Sequence, residues 1–156
     1  MTLYTTVPSP IGKLLLTSDG ERLTGVRMEP FTPHPEWKKA PASLQRASEQ
    51  LGAYFAGELR AFELDLKTSG TPFQMRVWHA LADIPYGETI SYGELARWVG
   101  NPRAVRAVGR ANGANPIAIV LPCHRVIGAN GTLTGYGGGL DRKAKLLALE
   151  GIMVPA

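Results

Sequence analysis

At 156 residues, 44% hydrophobic and 19% charged, the chain has a globular composition, enough for one sizeable core or for a small domain beside a slightly larger one. No stretch approaches the apolar length that crosses a bilayer, and residues 1–7 lack the apolar centre of a signal peptide; a single cysteine excludes an internal disulfide and a Cys-rich zinc site, which suits a reducing cytoplasm. The formal net charge of +4 arises unevenly: residues 1–72 carry eight Lys or Arg against eight Asp or Glu, and residues 73–156 carry nine against five. Solubility alone would account for so small an excess, so a nucleic-acid partner has to be argued from where the arginines lie.

Residues 3–7, 13–17 and 21–28 read as three β-strands. Turn signals at Ser9-Pro10-Ile11-Gly12 and Ser18-Asp19-Gly20 separate them, so a meander is expected. Residues 29–41 include Pro30, Pro33, Pro35 and Pro41, and are expected to form a surface loop without regular structure, in which His34 is a solvated side chain. Leu44, Ala47, Leu51 and Tyr54 recur at helical spacing and predict one amphipathic helix ending near Gly57. Nothing in this first part carries obvious chemistry.

The polar stretch 63–71, with Ser69-Gly70, divides the chain into an N-terminal α/β domain (1–70) and a C-terminal domain (71–156). The expected class is α/β in the α+β sense: a small β-meander with a helix, packed on a mainly helical part. Thr71-Pro72-Phe73-Gln74 reads as a helix start, with Thr as cap, Pro at the first position and Gln closing a capping box; Phe73, Val77, Ala80 and Leu81 form its inner face. His79 lacks a second ligand at metal spacing and reads as structural or exposed.

Ser91-Tyr92-Gly93-Glu94 is a second capping box, opening a helix with Leu95, Ala96 and Val99 as apolar residues. Gly100-Asn101-Pro102 breaks it, and Asn101 and Pro102 are placed to cap and start another helix running to Asn112-Gly113. On that helix Arg103, Arg106 and Arg110 fall within one arc while Val105 and Val108 point away. Ala104, Ala107, Gly109 and Ala111 leave its backbone thinly covered. A basic face alone is usually just solvated; in a capped helix pair with a tight turn it points to a helix-turn-helix that approaches DNA.

The apolar run 117–121 is expected to be a short buried strand, and Pro122 cannot continue its ladder, so Cys123 falls at a turn where a thiol can be reached. A lone cysteine is more often a small buried hydrophobe than a nucleophile. Three neighbours argue for reactivity. His124 can take the thiol proton directly or through a water, Arg125 adds positive potential, and the N–H groups of a turn can stabilise negative charge. Cysteine hydrolases keep Cys and His far apart in sequence, so the adjacency argues against a protease.

Asn130-Gly131 predicts a hairpin turn returning the chain to Tyr136, and the glycines 137–139 imply close approach of another group. A phosphate loop is the competing reading and lacks the Lys-Ser or Lys-Thr that follows one. The last helix, 141–150, holds an anomaly: Glu150 projects between Leu146 and Leu147, on the buried stripe and at the helix end where negative charge is disfavoured. Either it has a buried partner or it reaches solvent at the rim.

Pro122-Cys123-His124-Arg125-Val126, preceded by Asn115-Pro116-Ile117-Ala118-Ile119 and followed by Thr134-Gly135-Tyr136-Gly137-Gly138-Gly139-Leu140, resembles the active-site signature of the O6-alkylguanine-DNA alkyltransferases. Agreement runs from about Phe73 to Gly151, with weaker likeness to the N-terminus. The resemblance implies repair by direct reversal, in which the alkyl group of O6-alkylguanine, and of O4-alkylthymine, passes irreversibly to Cys123 in a single turnover. It implies a glutamate at Glu150 that orients His124 and stabilises its imidazolium, Asn115 bracing the turn, and a tyrosine at Tyr92 that crowds the phosphate and hydrogen-bonds the base. A recognition helix in the minor groove follows, with Arg106 as the finger entering the base stack. Arg103, Arg110, Ala104 and Gly109 flank it, and Val126, Tyr136, Gly137 and Gly138 wall the guanine pocket. Some relatives carry Ser at the Gly137 position. No cofactor is implied; the structural zinc of some members would need cysteines this chain lacks. The implied partner is double-stranded DNA bearing O6-alkylguanine, met by a monomer, with no membrane. The alternative from another class is a noncatalytic helix-turn-helix protein that binds alkylated DNA, against which Cys123 itself speaks.

Overall fold

The computed structural model describes residues 1–131, 133, 136 and 139–153. The chain forms two compact units, one of Met1–Thr68 with Pro116–Ala118, the other of Ser69–Asn115 with Ile119–Ala156.

In the first unit, β1 (Leu3–Val7), β2 (Leu14–Ser18) and β3 (Leu23–Met28) form the expected antiparallel meander, with Val7 opposite Leu14 and Leu16 opposite Val26. The central strand β2 is buried along its whole length, so its Leu14-Leu15-Leu16 run shows no alternation. The Pro-rich segment departs from expectation. Lys38–Lys39 forms a short strand, β4, that pairs parallel with β1 at the sheet edge. Four prolines do not prevent this, because the N–H groups that are needed come from Lys38, to the Thr2 carbonyl, and Ala40, to the Tyr4 carbonyl, and neither is proline. A 3-10 turn (Pro41–Leu44) leads into α1 (Gln45–Phe55), which buries Ala47, Leu51 and Tyr54.

The second unit is mainly helical. Helix α2 (Pro72–Leu81) starts with the predicted capping box: the Thr71 side chain accepts from Gln74 N–H at 3.1 Å and Gln74 accepts from Thr71 N–H at 3.0 Å. Its inner face is Val77, Trp78 and Leu81, with Phe73 and Ala80 only half-buried; Trp78 is held inside because its indole N–H donates to the Ala111 carbonyl at 2.8 Å. A two-residue strand, β5 (Ile90–Ser91), runs into α3 (Tyr92–Trp98), whose cap is the Ser91 hydroxyl.

Gly100, at φ 83°, ends α3: Gly100 N–H reaches the Arg97 carbonyl and Asn101 N–H the Ala96 carbonyl. This overturns the expected start of the next helix. Asn101 is spent on that closure and on accepting from Ala104 N–H, so α4 begins only at Val105 and runs to Gly113. Arg103 therefore stands in the turn, and Val105, at the open helix end, is exposed rather than turned inward. Helix α4 packs on both α2 and α3 through Val108 and Ala111.

The run 117–121 is not a strand. Only isolated bridges form along it, and Ile119 adopts φ 73°, a left-handed conformation uncommon for a β-branched residue. A 3-10 turn (Cys123–Arg125) follows, then β6 (Val126–Ile127), which pairs parallel with β5. A turn closes at Asn130-Gly131, with Gly131 N–H on the Gly128 carbonyl, but among the described residues no antiparallel hairpin ladder accompanies it. Helix α5 (Leu140–Leu149) completes the unit, with Glu150 as its C-cap. Among the described residues no helix is long and apolar enough to cross a membrane.

Candidate active site

The β5·β6 ladder sets Ile90 against Val126 and Ser91 against Ile127, which brings the start of α3 to the turn that carries the cysteine. Two asparagines hold that turn from α4 and its end. Asn115 Nδ2 donates to the Leu121 carbonyl at 2.7 Å, and Asn112 Nδ2 to the Cys123 carbonyl at 3.3 Å. Asn115 was legible from the signature; Asn112, only 2% exposed, was not, because buried amides in a helix carry no sequence mark of their partners.

Cys123 is 6% exposed, so the expectation of a reachable thiol at an open turn is corrected. Helix α5 packs over the turn and encloses it. Burial pushes the thiol above its ordinary pKa, opposed by hydrogen bonds from the Asn115 and Tyr136 side chains and by the charge of Lys143. The resting group is a thiol, which must lose its proton to react.

His124 is fully enclosed, and its Nε2 stands 2.7 Å from Glu150 Oε2. A carboxylate only accepts, so Nε2 carries the proton and Nδ1 presents its lone pair. Among the described residues Nδ1 is without a hydrogen-bond partner. Burial lowers the imidazole pKa against the opposing pull of Glu150, leaving a neutral ring able to accept a proton. Glu150 is itself buried, which resolves the alternative of a solvated rim residue. Gly151, at φ 85°, turns the chain immediately after it and fixes it at the end of α5.

The cation near the thiol differs from the one expected. Arg125 binds Glu150, with Nε to Oε1 at 2.8 Å and Nη2 to Oε2 at 3.1 Å, and the Ile84 carbonyl at 2.7 Å. Lys143 supplies the positive potential at Cys123. It is 0% exposed, with Nζ 5.7 Å from the Tyr92 ring centre and 5.9 Å from that of Tyr136, and burial lowers its pKa to about 8. The sequence held a sign of it: 143, 146, 147 and 150 lie on one helical stripe, so a lysine shares the buried face with Glu150.

Tyr92 opens α3, half-buried, and Gly109 of α4 faces it; a Cβ built on Gly109 would lie 3.9 Å from its ring. Arg106 and Arg110 are exposed on α4, Arg103 is exposed in the turn before it, and Ala104 is the half-buried N-cap. Val126 is fully buried behind the cysteine turn. Gly137 and Gly138, with Thr134 and Gly135 of the signature, lie outside the described residues. Among the described residues no cluster of His, Cys, Asp or Glu could hold a metal ion.

An enclosed Cys–His–Glu cluster beside an arginine-bearing helix-turn-helix defines the class: a DNA-binding protein with a cysteine centre. Residues 72–152 match the family described as 6-O-methylguanine DNA methyltransferase, DNA binding domain, and residues 2–68 match its ribonuclease-like domain. The chain belongs to the 6-O-methylguanine DNA methyltransferase family. It is 60% identical over 156 residues to the methylated-DNA–protein-cysteine methyltransferase of Mycolicibacterium paratuberculosis, covering 98% of this chain and 94% of that one. The enzyme of that name from Methanosarcina acetivorans is 53% identical over 152 residues, covering 95% and 97%. Among solved structures, Mycobacterium tuberculosis OGT in complex with DNA superposes with a TM-score of 0.91 at 57% identity, covering 95% of this chain and 92% of that one.

Proposed function

We propose that this chain repairs alkylated DNA by transferring the alkyl group of O6-alkylguanine to its own Cys123, once per molecule. The observation that carries the reading is the enclosed thiol beside a neutral, glutamate-bound histidine, in the unit that also holds the arginine-bearing helix pair. The Cys123 proton passes to His124 Nδ1 through a water, and the thiolate attacks the alkyl carbon in line. The carbon–oxygen bond breaks, its electron pair goes to the base oxygen, and a proton returns to the guanine ring. A thioether and an unmodified guanine remain. The Tyr92 hydroxyl is assigned as a donor to a ring nitrogen of the base, backbone groups at Val126 and Gly137 as further contacts that stabilise the departing base oxygen, and Tyr136, Gly137 and Gly138 as the pocket wall.

Arg106 is assigned to the gap left by the extruded nucleotide, with Arg103 and Arg110 on phosphates and Ala104 and Gly109 at the backbone. In the same reading residues 71–156 form the DNA-binding and transfer domain and residues 1–70 an N-terminal domain. The substrate is double-stranded DNA bearing O6-alkylguanine, with O4-alkylthymine as a second lesion, and the protein works as a cytoplasmic monomer before it meets DNA. Incubation with a duplex holding one O6-methylguanine, followed by intact-mass and peptide analysis, tests this. One methyl group on Cys123 is expected; a protein that binds the lesion without gaining mass would be the noncatalytic alternative.

A further inference from the structure

Arg125 has no part in the transfer as described, yet its guanidinium is committed on every side. It is 6% exposed, forks onto both oxygens of Glu150, donates to the Ile84 carbonyl and lies with Cζ 5.7 Å from the centre of the Tyr86 ring. Glu150 thus serves three groups: Oε2 is shared between Arg125 and His124, and Oε1 accepts from Arg125 and from Gly87 N–H at 3.0 Å. A buried carboxylate facing a histidine alone would favour the imidazolium, because an opposite charge at hydrogen-bond distance stabilises the charged form. An imidazolium has no lone pair at Nδ1 and cannot accept a thiol proton. Alignment by Glu150 and availability as a base therefore pull against each other, and what holds the ring neutral is its burial together with whatever answers the carboxylate's charge.

We propose that Arg125 is a positioning residue for the transfer: its fork neutralises Glu150 while holding it in place, so that His124 is aligned by the carboxylate and remains the neutral base. This rests on the transfer reading above. The charged groups that act on His124 are few. Glu150 from the end of α5 favours the imidazolium; Arg125 on the same turn and Lys143 from α5 oppose it, and burial opposes it more than either cation. Arg125 meets the Glu150 carboxylate directly, with Nε 2.8 Å from Oε1. An arginine suits the task better than a lysine, because its planar fork meets both carboxylate oxygens at once.

The test is an imidazole titration of the uniformly nitrogen-15-labelled protein without DNA, in which His124 is one of three histidines and is assigned by its loss in His124→Gln. In the unaltered protein His124 should show a bare Nδ1 and a protonated Nε2 at pH 7. Arg125→Met should move its titration midpoint upward by a pH unit or more, a tenfold change in proton affinity, and bring an acid limb into the pH profile of transfer near neutrality. Arg125→Lys should restore most of the midpoint. A His124 that is imidazolium at pH 7 in the unaltered protein overturns the proposal even if Arg125→Met fails to fold. An unmoved or lowered midpoint in a folded Arg125→Met overturns it as well. Failure of Cys123 to gain a methyl group would instead sink the transfer reading and leave these titrations as they are.

Discussion

Cys123 and Lys143 titrate towards each other, since burial raises the thiol and lowers the amine to about 8. A charged Lys143 favours the thiolate, so Lys143→Met should slow transfer at neutral pH and steepen the recovery of rate as pH rises, measured with methylated duplex under single-turnover conditions. Stability carries the same signature with a definite sign. The folded amine releases its proton near pH 8 and the unfolded one near 10.5, so between those values the unfolded chain binds more protons. Lys143 should thereby contribute a rise in stability on the order of 3 kcal/mol across that window, opposed in its upper part by Cys123, whose raised thiol keeps its proton in the folded chain after the unfolded one has lost it; denaturant titrations of Lys143→Met should lack the lysine's rise. Glu150→Gln makes a second case: it strips a buried arginine of its counter-charge, which costs about 3–5 kcal/mol. It should therefore lower Tm by on the order of 10 °C as well as slow transfer. A slowed variant with unchanged Tm would mean that Arg125 finds another partner. The odd carboxylate is visible from the helical wheel, whereas burial of Lys143 on the same stripe is not, since lysine is seldom fully enclosed.

The elements that sequence placed correctly are those closed by local chemistry. The capping box at Thr71, the meander turns and the glycine stop at Gly100 all act between near neighbours in sequence, and all stand as expected. The start of α4 was misplaced because Asn101 can either cap a helix or close the previous one, and that choice depends on the Ala96 and Arg97 carbonyls. The run 117–121 misled for a related reason: its apolar residues fit a strand, while the left-handed Ile119 is imposed by surroundings that periodicity does not record. The later start of α4 separates two arginines that had been assigned one face. Arg106 stands in the helix's first turn and Arg103 before it. Arg106→Ala should slow repair in duplex DNA about tenfold and leave reaction with a free alkylated guanine base unchanged; Arg103→Ala should weaken duplex binding evenly across sequences. Equal losses of Arg106→Ala on duplex and free base would remove its role in extrusion.

For the whole molecule, chemistry and binding draw on different surfaces of one unit: the thiol is enclosed, while Arg103, Arg106 and Arg110 are exposed. The charge excess of residues 73–156 is small, so affinity should come from a few phosphate contacts and not from a broad basic field. Two measurements on the same duplex separate these parts. Cys123→Ser should abolish transfer and keep both the affinity and the slope of log affinity against log salt, because removing a buried sulfur releases no counterions. Arg110→Ala should keep Cys123 reactive toward a free base and reduce that slope by about one. If Cys123→Ser changed the salt slope, the turn held by Asn112 and Asn115 would be transmitting its state to the arginine-bearing helix. Asn112 lies on α4 and bonds the Cys123 carbonyl, so that route exists in the structure, and an unchanged slope is the result that would close it.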